Sequence, residues 1–261
     1  MPAPGDSAAG ADRVPENLTT QGYHHMTQPS DALDRILTRT RHLLLDFDGP
    51  ICDFYPGQTG APVAGQLRRH LRDRHEPPLP GDIARTSSPI EVFTYAAALG
   101  PELAASAEAE LTALEIVAAS AAVPNDHVAG LLAACRDSAR TVTVVSNVST
   151  AAIRAYLTHH NLDNLVAHVI ARTSPDPSLL KPSSHLIEQA LTTLNADPAA
   201  CTMLGDSPTD IESAHKAGIA SIGYANKPGK HELFTTASAG AIITSLADLA
   251  LRLRAHDASG S

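Results

Sequence analysis

Asp46 and Asp48 stand one residue apart in Asp46-Phe47-Asp48-Gly49, directly after the apolar run Leu43-Leu44-Leu45. In an extended segment, residues i and i+2 project to the same side. Two like charges held together there repel unless a cation or a shared proton compensates them. The pair therefore suits metal binding or proton transfer. Its plainer reading is an acidic turn, where Asp and Gly serve local geometry. Choosing between the two requires polar partners at the ends of other elements.

The elements that would carry such partners can be read from periodicity. Ser30-Asp31 caps a short helix through Leu33, Ile36 and Leu37, and residues 42–45 form a first core strand. From Pro56 to about Pro124 the pattern predicts helices without strands, over 63–74, 89–99 and 101–122, broken by Pro77-Pro78-Leu79-Pro80-Gly81. Beyond Asp126 helix and strand alternate. Strands are expected at 141–145, 167–171, 202–205, 220–224 and 241–243, and helices at 183–194, 209–216 and 245–253. This beat predicts an α/β fold with a doubly wound parallel sheet and an inserted helical domain. In such sheets, ligands bind beyond the carboxyl ends of the strands.

Composition bounds the partners. The 261 residues suffice for a large core, and the net charge of -9 argues against a nucleic-acid partner. The interrupted basic run from Arg68 to His75 reads as one solvated helix face. Cys52, Cys135 and Cys201 fit no metal spacing, which suggests buried thiols in a reduced, cytoplasmic setting. The sequence has no leader-like h-region and no stretch of membrane-span length, so no membrane association is expected. Residues 1–29 are polar and rich in small residues and are expected to be disordered.

Three expected strand ends carry polar residues: Asp46 and Asp48, then Ser146 and Asn147, then Asp206 and Asp210 in Gly205-Asp206-Ser207-Pro208-Thr209-Asp210. Lys181-Pro182 is expected to open a helix. Each has a plain alternative: a helix N-cap at Ser146-Asn147, a surface turn at Lys181-Pro182, a capped helix start at Asp206 to Asp210. Taken together, several carboxylates facing one crevice need a hard divalent cation, and Mg²⁺ fits a site with few carboxylates and room for a phosphate. Ser146, the first N–H groups of the next helix, and Lys181 can hold phosphoryl oxygens.

These four motifs, in this order and at these element ends, resemble those of the haloacid dehalogenase superfamily. The likeness is to its helical-cap branch, which includes phosphoglycolate phosphatase- and β-phosphoglucomutase-like proteins, and it spans roughly residues 40–253. The resemblance implies a Rossmann-like core at 30–56 and 124–261 with a helical cap at 57–123. It implies that Asp46 is the nucleophile forming an aspartyl-phosphate and Asp48 the general acid and base. Ser146, Asn147 and Lys181 would bind the phosphoryl group. Asp46, the Asp48 carbonyl and Asp206 would bind Mg²⁺, with Asp210 in an outer shell. Pro50 and Ser183-Ser184 depart from the residues common beside these motifs, which bears on substrate fit. The activity implied is Mg²⁺-dependent hydrolysis of a small phosphorylated metabolite; a phosphomutase and a catalytically silent phosphate-binding regulatory protein are the alternatives. Candidates for specificity are Phe54, Tyr55, Gln58, Arg68, Arg69 and Arg72. Lys227 lies on a further loop near the site.

Overall fold

The computed structural model describes residues 29–57, 60–75 and 78–258, so residues 1–28 of the expected disordered tail and Gln58 lie outside the described residues, whereas Pro29 begins the first helix. The chain opens with α1 (Pro29–Arg39) and β1 (His42–Leu45). It then passes through the short β2 (Cys52–Asp53) into α2 (Ala61–Arg72), α3 (Gly81–Arg85), α4 (Pro89–Leu99) and α5 (Pro101–Ala119). It returns through β3 (Val123–Pro124) to α6 (Val128–Asp137), β4 (Thr141–Ser149), α7 (Thr150–His159) and β5 (His168–Arg172). The last part runs α8 (His185–Leu194), β6 (Cys201–Gly205), α9 (Pro208–Lys216), β7 (Ala220–Tyr224), α10 (Lys230–Thr236), β8 (Ala241–Ile243) and α11 (Leu246–Ala258).

Six strands form one parallel sheet in the order β5-β4-β1-β6-β7-β8. Strand β1 lies inside it, with Leu43 opposite both Val142 and Thr202. A parallel strand covered on both faces must be apolar throughout, and the two-residue period sends alternate side chains to opposite layers. Leu43 and Leu45 accordingly join the side chains of α1, α6, α7 and α11. Leu44 joins Leu186, Ile187 and Ala214 on the other face. Burying each leucine stabilises the fold by roughly 1.5–3 kcal/mol before entropy is counted. From β1 the chain builds outward to β4 and β5, then crosses to β6, β7 and β8 on the other side. The reversal opens a crevice at the carboxyl ends of β1 and β6, where Asp46 and Asp206 begin.

The helical insertion has its own core. Val63, Leu67 and Leu71 recur every four residues along α2 and meet Val92, Phe93 and Ala96 of α4 and Ala107 and Leu111 of α5. Helix α5 belongs to both layers, because Ala119 near its end packs in the main core. Three local features differ from the sequence-based expectation. The ends of the insertion pair as an antiparallel ribbon, Cys52 opposite Pro124 and Asp53 opposite Val123; two-residue strands are too short to show any alternation. Strand β4 continues to Ser149, with a register shift against β5 between Ser146 and Ser149. Lys181-Pro182 does not open a helix: the peptide is cis, and α8 begins three residues later, after its N-cap Ser184.

Candidate active site

The first turn of the site is built by backbone demands. Asp46 continues the pairing of β1, its N–H donating to the Leu204 carbonyl at 2.9 Å. Its carboxylate oxygen Oδ1 accepts from the Phe47 N–H at 2.7 Å and lies 2.8 Å from Lys181 Nζ. Phe47 turns into the core, edge-on to Phe54 and Tyr156, so the residues on either side of it point away from the core. Gly49 adopts φ +99°, and a Cβ there would come within 2.2 Å of the Asp206 carboxylate. Only glycine lets this turn close against β6.

Asp48 accepts from the Phe54 N–H at 3.1 Å. Burial pushes its carboxyl up to about 6; the Phe54 hydrogen bond opposes this, and the nearby Asp46 and Asp206 reinforce it. A carboxyl held there can carry a proton near neutral pH, as a general acid must.

Lys181, 6 % exposed, reaches under the crevice. Its ammonium bonds Asp210 Oδ1 at 2.5 Å and the Val145 carbonyl at 3.1 Å, besides Asp46. Burial alone would lower its pKa, but the Asp210 and Asp46 carboxylates outweigh that and hold the ammonium charged. Burial also pushes Asp210 upward, yet a carboxylate in hydrogen-bond contact with an ammonium is most stable as the ion pair. Asp210 spends its other oxygen on the Ser207 N–H at 3.0 Å, closing a capping box at the start of α9. The motif thus forms a capped helix start and also lies beside the crevice. Ser149, not Ser146 or Asn147, caps α7. Asn147 instead brackets Lys181: its Oδ1 accepts from the Lys181 N–H at 2.8 Å, and its Nδ2 donates to the Lys181 carbonyl at 3.0 Å.

Oxygens of Asp46, Asp206 and Asp210 lie within 4.8 Å of one another, a donor set of hard ligands that fits Mg²⁺ better than a soft-ligand metal. With both Asp210 oxygens engaged, Asp46 and Asp206 are the better placed donors. Asp206 Oδ2 itself accepts from Lys230 Nζ and, at 3.2 Å, from Asn226 Nδ2. Lys230 thus places a positive charge beside any cation on Asp206. Lys230→Ala is expected to tighten Mg²⁺ binding roughly fivefold, about 1 kcal/mol of relieved repulsion at a partly exposed site. Titration calorimetry checks this; weaker binding would mean that Lys230 chiefly orients Asp206.

Asp46, Asp48, Ser146, Asn147, Lys181 and Asp206 all line one cavity of about 240 Å³, closed on the insertion side by Tyr55, Pro89 and Ile90. A second cavity of about 400 Å³ shares Asp48, Tyr55 and Asp206 with it. Among the proposed specificity residues, Tyr55 faces both spaces, whereas Phe54 is fully buried. Arg69 and Arg72 are exposed on α2, and Arg68 bonds the Thr86 carbonyl at 2.5 Å. Lys227 lines the larger cavity. Sequence reasoning placed the 224–230 loop near the site but singled out Lys227 there rather than Asn226 or Lys230, and it missed the buried pair Glu115–Arg172. The available signal for that pair was a lone charge inside each of two apolar segments, Leu114-Glu115-Ile116-Val117 and Val169-Ile170-Ala171-Arg172.

These features define a class: a doubly wound α/β protein with a helical cover over an acidic crevice that also holds a buried lysine. Residues 106–224 match the family model described as haloacid dehalogenase-like hydrolase, a span that includes Ser146, Lys181, Asp206 and Asp210. The fold recurs in a predicted phosphatase from Clostridium acetobutylicum, at 20% identity and TM-score 0.63, covering 82% of this chain and 98% of that one. It recurs in a predicted phosphoglycolate phosphatase from Haemophilus somnus 129pt, at 18% identity and TM-score 0.55, covering 81% and 96%. CbbY from Rhodobacter sphaeroides, solved in complex with phosphate, shares it at 19% identity and TM-score 0.52, covering 80% and 96%. No curated protein matches the chain significantly. In sequence the chain is similar to the haloacid dehalogenase-like hydrolases over residues 106–224, and the three solved structures share its fold.

Proposed function

We propose that the protein is a Mg²⁺-dependent phosphatase that hydrolyses a small phosphate monoester through an aspartyl-phosphate on Asp46. The observation that carries this reading is the convergence of Asp46, Asp48, Ser146, Lys181 and Asp206 from separate strand ends and loops onto one small cavity. The phosphate found with CbbY and the phosphatase descriptions of the other two neighbours agree with it.

The proposed chemistry follows from the contacts. Asp46 attacks phosphorus with the oxygen not held by Lys181, and the Lys181 ammonium offsets repulsion between that carboxylate and the phosphate dianion. Ser146 and backbone N–H groups next to it, other than the Ser149 N–H that Glu115 holds, receive phosphoryl oxygens. Asp48, whose pKa burial raises to about 6, donates in its protonated form to the leaving oxygen and then takes a proton from the water that cleaves the intermediate. Bound Mg²⁺ would supply a Lewis acid that neutralises charge on the transferring oxygens. We read residues 57–123 as a cap on a core formed by 30–56 and 124–261, a division supported by the separate apolar cluster of α2, α4 and α5. No described helix is long and apolar enough to cross a membrane; a cytoplasmic location is part of the proposal.

A panel of small phosphate monoesters, followed for free phosphate, tests this function. Release should require Mg²⁺, cease in excess EDTA and return with excess Mg²⁺. Isomer conversion without phosphate release would instead identify a mutase, and silence across the panel would reject catalysis.

A further inference from the structure

Arg172 ends β5 as part of the core, yet nearly every group around its guanidinium comes from the inserted helices. Nη1 and Nη2 form a two-pronged pair with Glu115 of α5 at 3.1 and 2.7 Å, with side chains 1% and 2% exposed. Nη2 also reaches Thr112 Oγ1 and Nε reaches Glu108 Oε1, both at 3.4 Å, and the Phe93 ring of α4 lies 5.7 Å away. A buried ion pair is by itself weak evidence of stabilisation, because desolvation cancels much of the attraction. Its other contacts suggest a different use.

Where β4 shifts register against β5, between Ser146 and Ser149, ladder bonds are interrupted and the freed backbone groups need partners. Arg172 Nη1 donates to the Asn147 carbonyl at 2.8 Å, and Glu115 Oε2 accepts from the Ser149 N–H at 2.9 Å. The pair thus holds the backbone on both sides of Val148, one and three residues after Ser146. Asn147, fixed in this way, holds the backbone of Lys181 by both its N–H and its carbonyl.

We infer that Glu115 and Arg172 are positioning residues that couple the cap to the phosphate-binding segment, setting Ser146 through the backbone of the adjoining Asn147 and Lys181 through the Asn147 side chain. This rests on reading Ser146 and Lys181 as phosphoryl ligands. It makes phosphate affinity depend on a cap residue at the wall of the same cavity, whose carboxylate is held by Arg172 and the Ser149 N–H, and it ties the pose of helix α5 to the order of the site.

The test uses the full chain as wild type, Glu115→Gln, and the double variant Glu115→Met with Arg172→Met, which leaves no unpaired buried charge if the single variant fails to fold. Melting temperature, hydrogen exchange at the Ser149 and Lys181 amides, and binding of inorganic phosphate with Mg²⁺ are measured on each. Both amides should exchange faster and phosphate should bind about tenfold more weakly, the effect of losing a charge-assisted hydrogen bond. The double variant should recover melting temperature without recovering either of the other two readouts. Folded variants that lose only melting temperature, with Lys181 exchange and phosphate affinity unchanged, overturn the inference. Failure of the wild type to bind phosphate would reject the reading of Ser146 and Lys181 as ligands, whereas the exchange at Lys181 would still decide the coupling for or against.

Discussion

Asp46→Asn is expected to lower phosphate release from an aryl phosphate by at least about 10⁴-fold, the scale seen when a covalent nucleophile is removed. The substitution is nearly isosteric. An amide oxygen can still accept from the Phe47 N–H and the Lys181 ammonium, so the turn after β1 should persist. What is lost is nucleophilicity and one negative charge of the cation site. A second signature separates this from misfolding: with that charge gone, inorganic phosphate meets less repulsion and should bind the variant at least as tightly as wild type. Turnover within tenfold of wild type would mean that another group attacks phosphorus and that the role proposed for Asp46 is wrong.

Asp48→Asn is expected to cost about 10² to 10⁴ in rate, the span of a positioned acid–base group. The loss should be greater for an alkyl phosphate than for a nitrophenyl phosphate, whose leaving group departs without a proton. An equal loss for both would point away from proton transfer. The same substitution should stabilise the metal-free protein. Burial raises the folded-state pKa of Asp48 to about 6, above its value in the unfolded chain. Between those values the native state binds more protons than the unfolded one, so stability is greatest below the window and is lost as pH rises through it. Asparagine cannot ionise and avoids that loss. With EDTA at pH 7.5 the variant should gain roughly 2 kcal/mol, after allowance for the face of Asp48 that meets water, or several degrees in melting temperature. The gain should vanish near pH 4. A pH-independent difference would assign it to packing instead.

Legibility in the sequence varied with the range of the interaction that decides each feature. The acidic pair, the Ser146-Asn147 end, the Asp206 to Asp210 segment and the alternating beat of the sheet are short-range patterns. Apolar periodicity and turn chemistry place them on element ends, and the parallel topology then requires those ends to meet. Lys181 was legible as a member of the site but not as a loop residue, because the helix after it starts only at Ser184. The ribbon of β2 and β3 was not legible, since two residues carry no period.

The sequence by itself determined the residue types of the motifs and which strand ends bring them together, because those signals lie within a few residues of each other. Only the tertiary structure decided their environments. Glu115 lies 57 residues before Arg172, and Asp206 lies 24 before Lys230, yet each pair is in contact. Locally, Glu115 is marked only by its apolar neighbours, which do not point to Arg172 as its partner, and Lys230 looks like any surface lysine. Whether a charge is solvated, paired or held neutral depends on what packs around it from distant segments, and that also raises Asp48 toward neutral pH. Electrostatic roles are therefore set by the fold, while the chemical identities they act on are already written in the motifs.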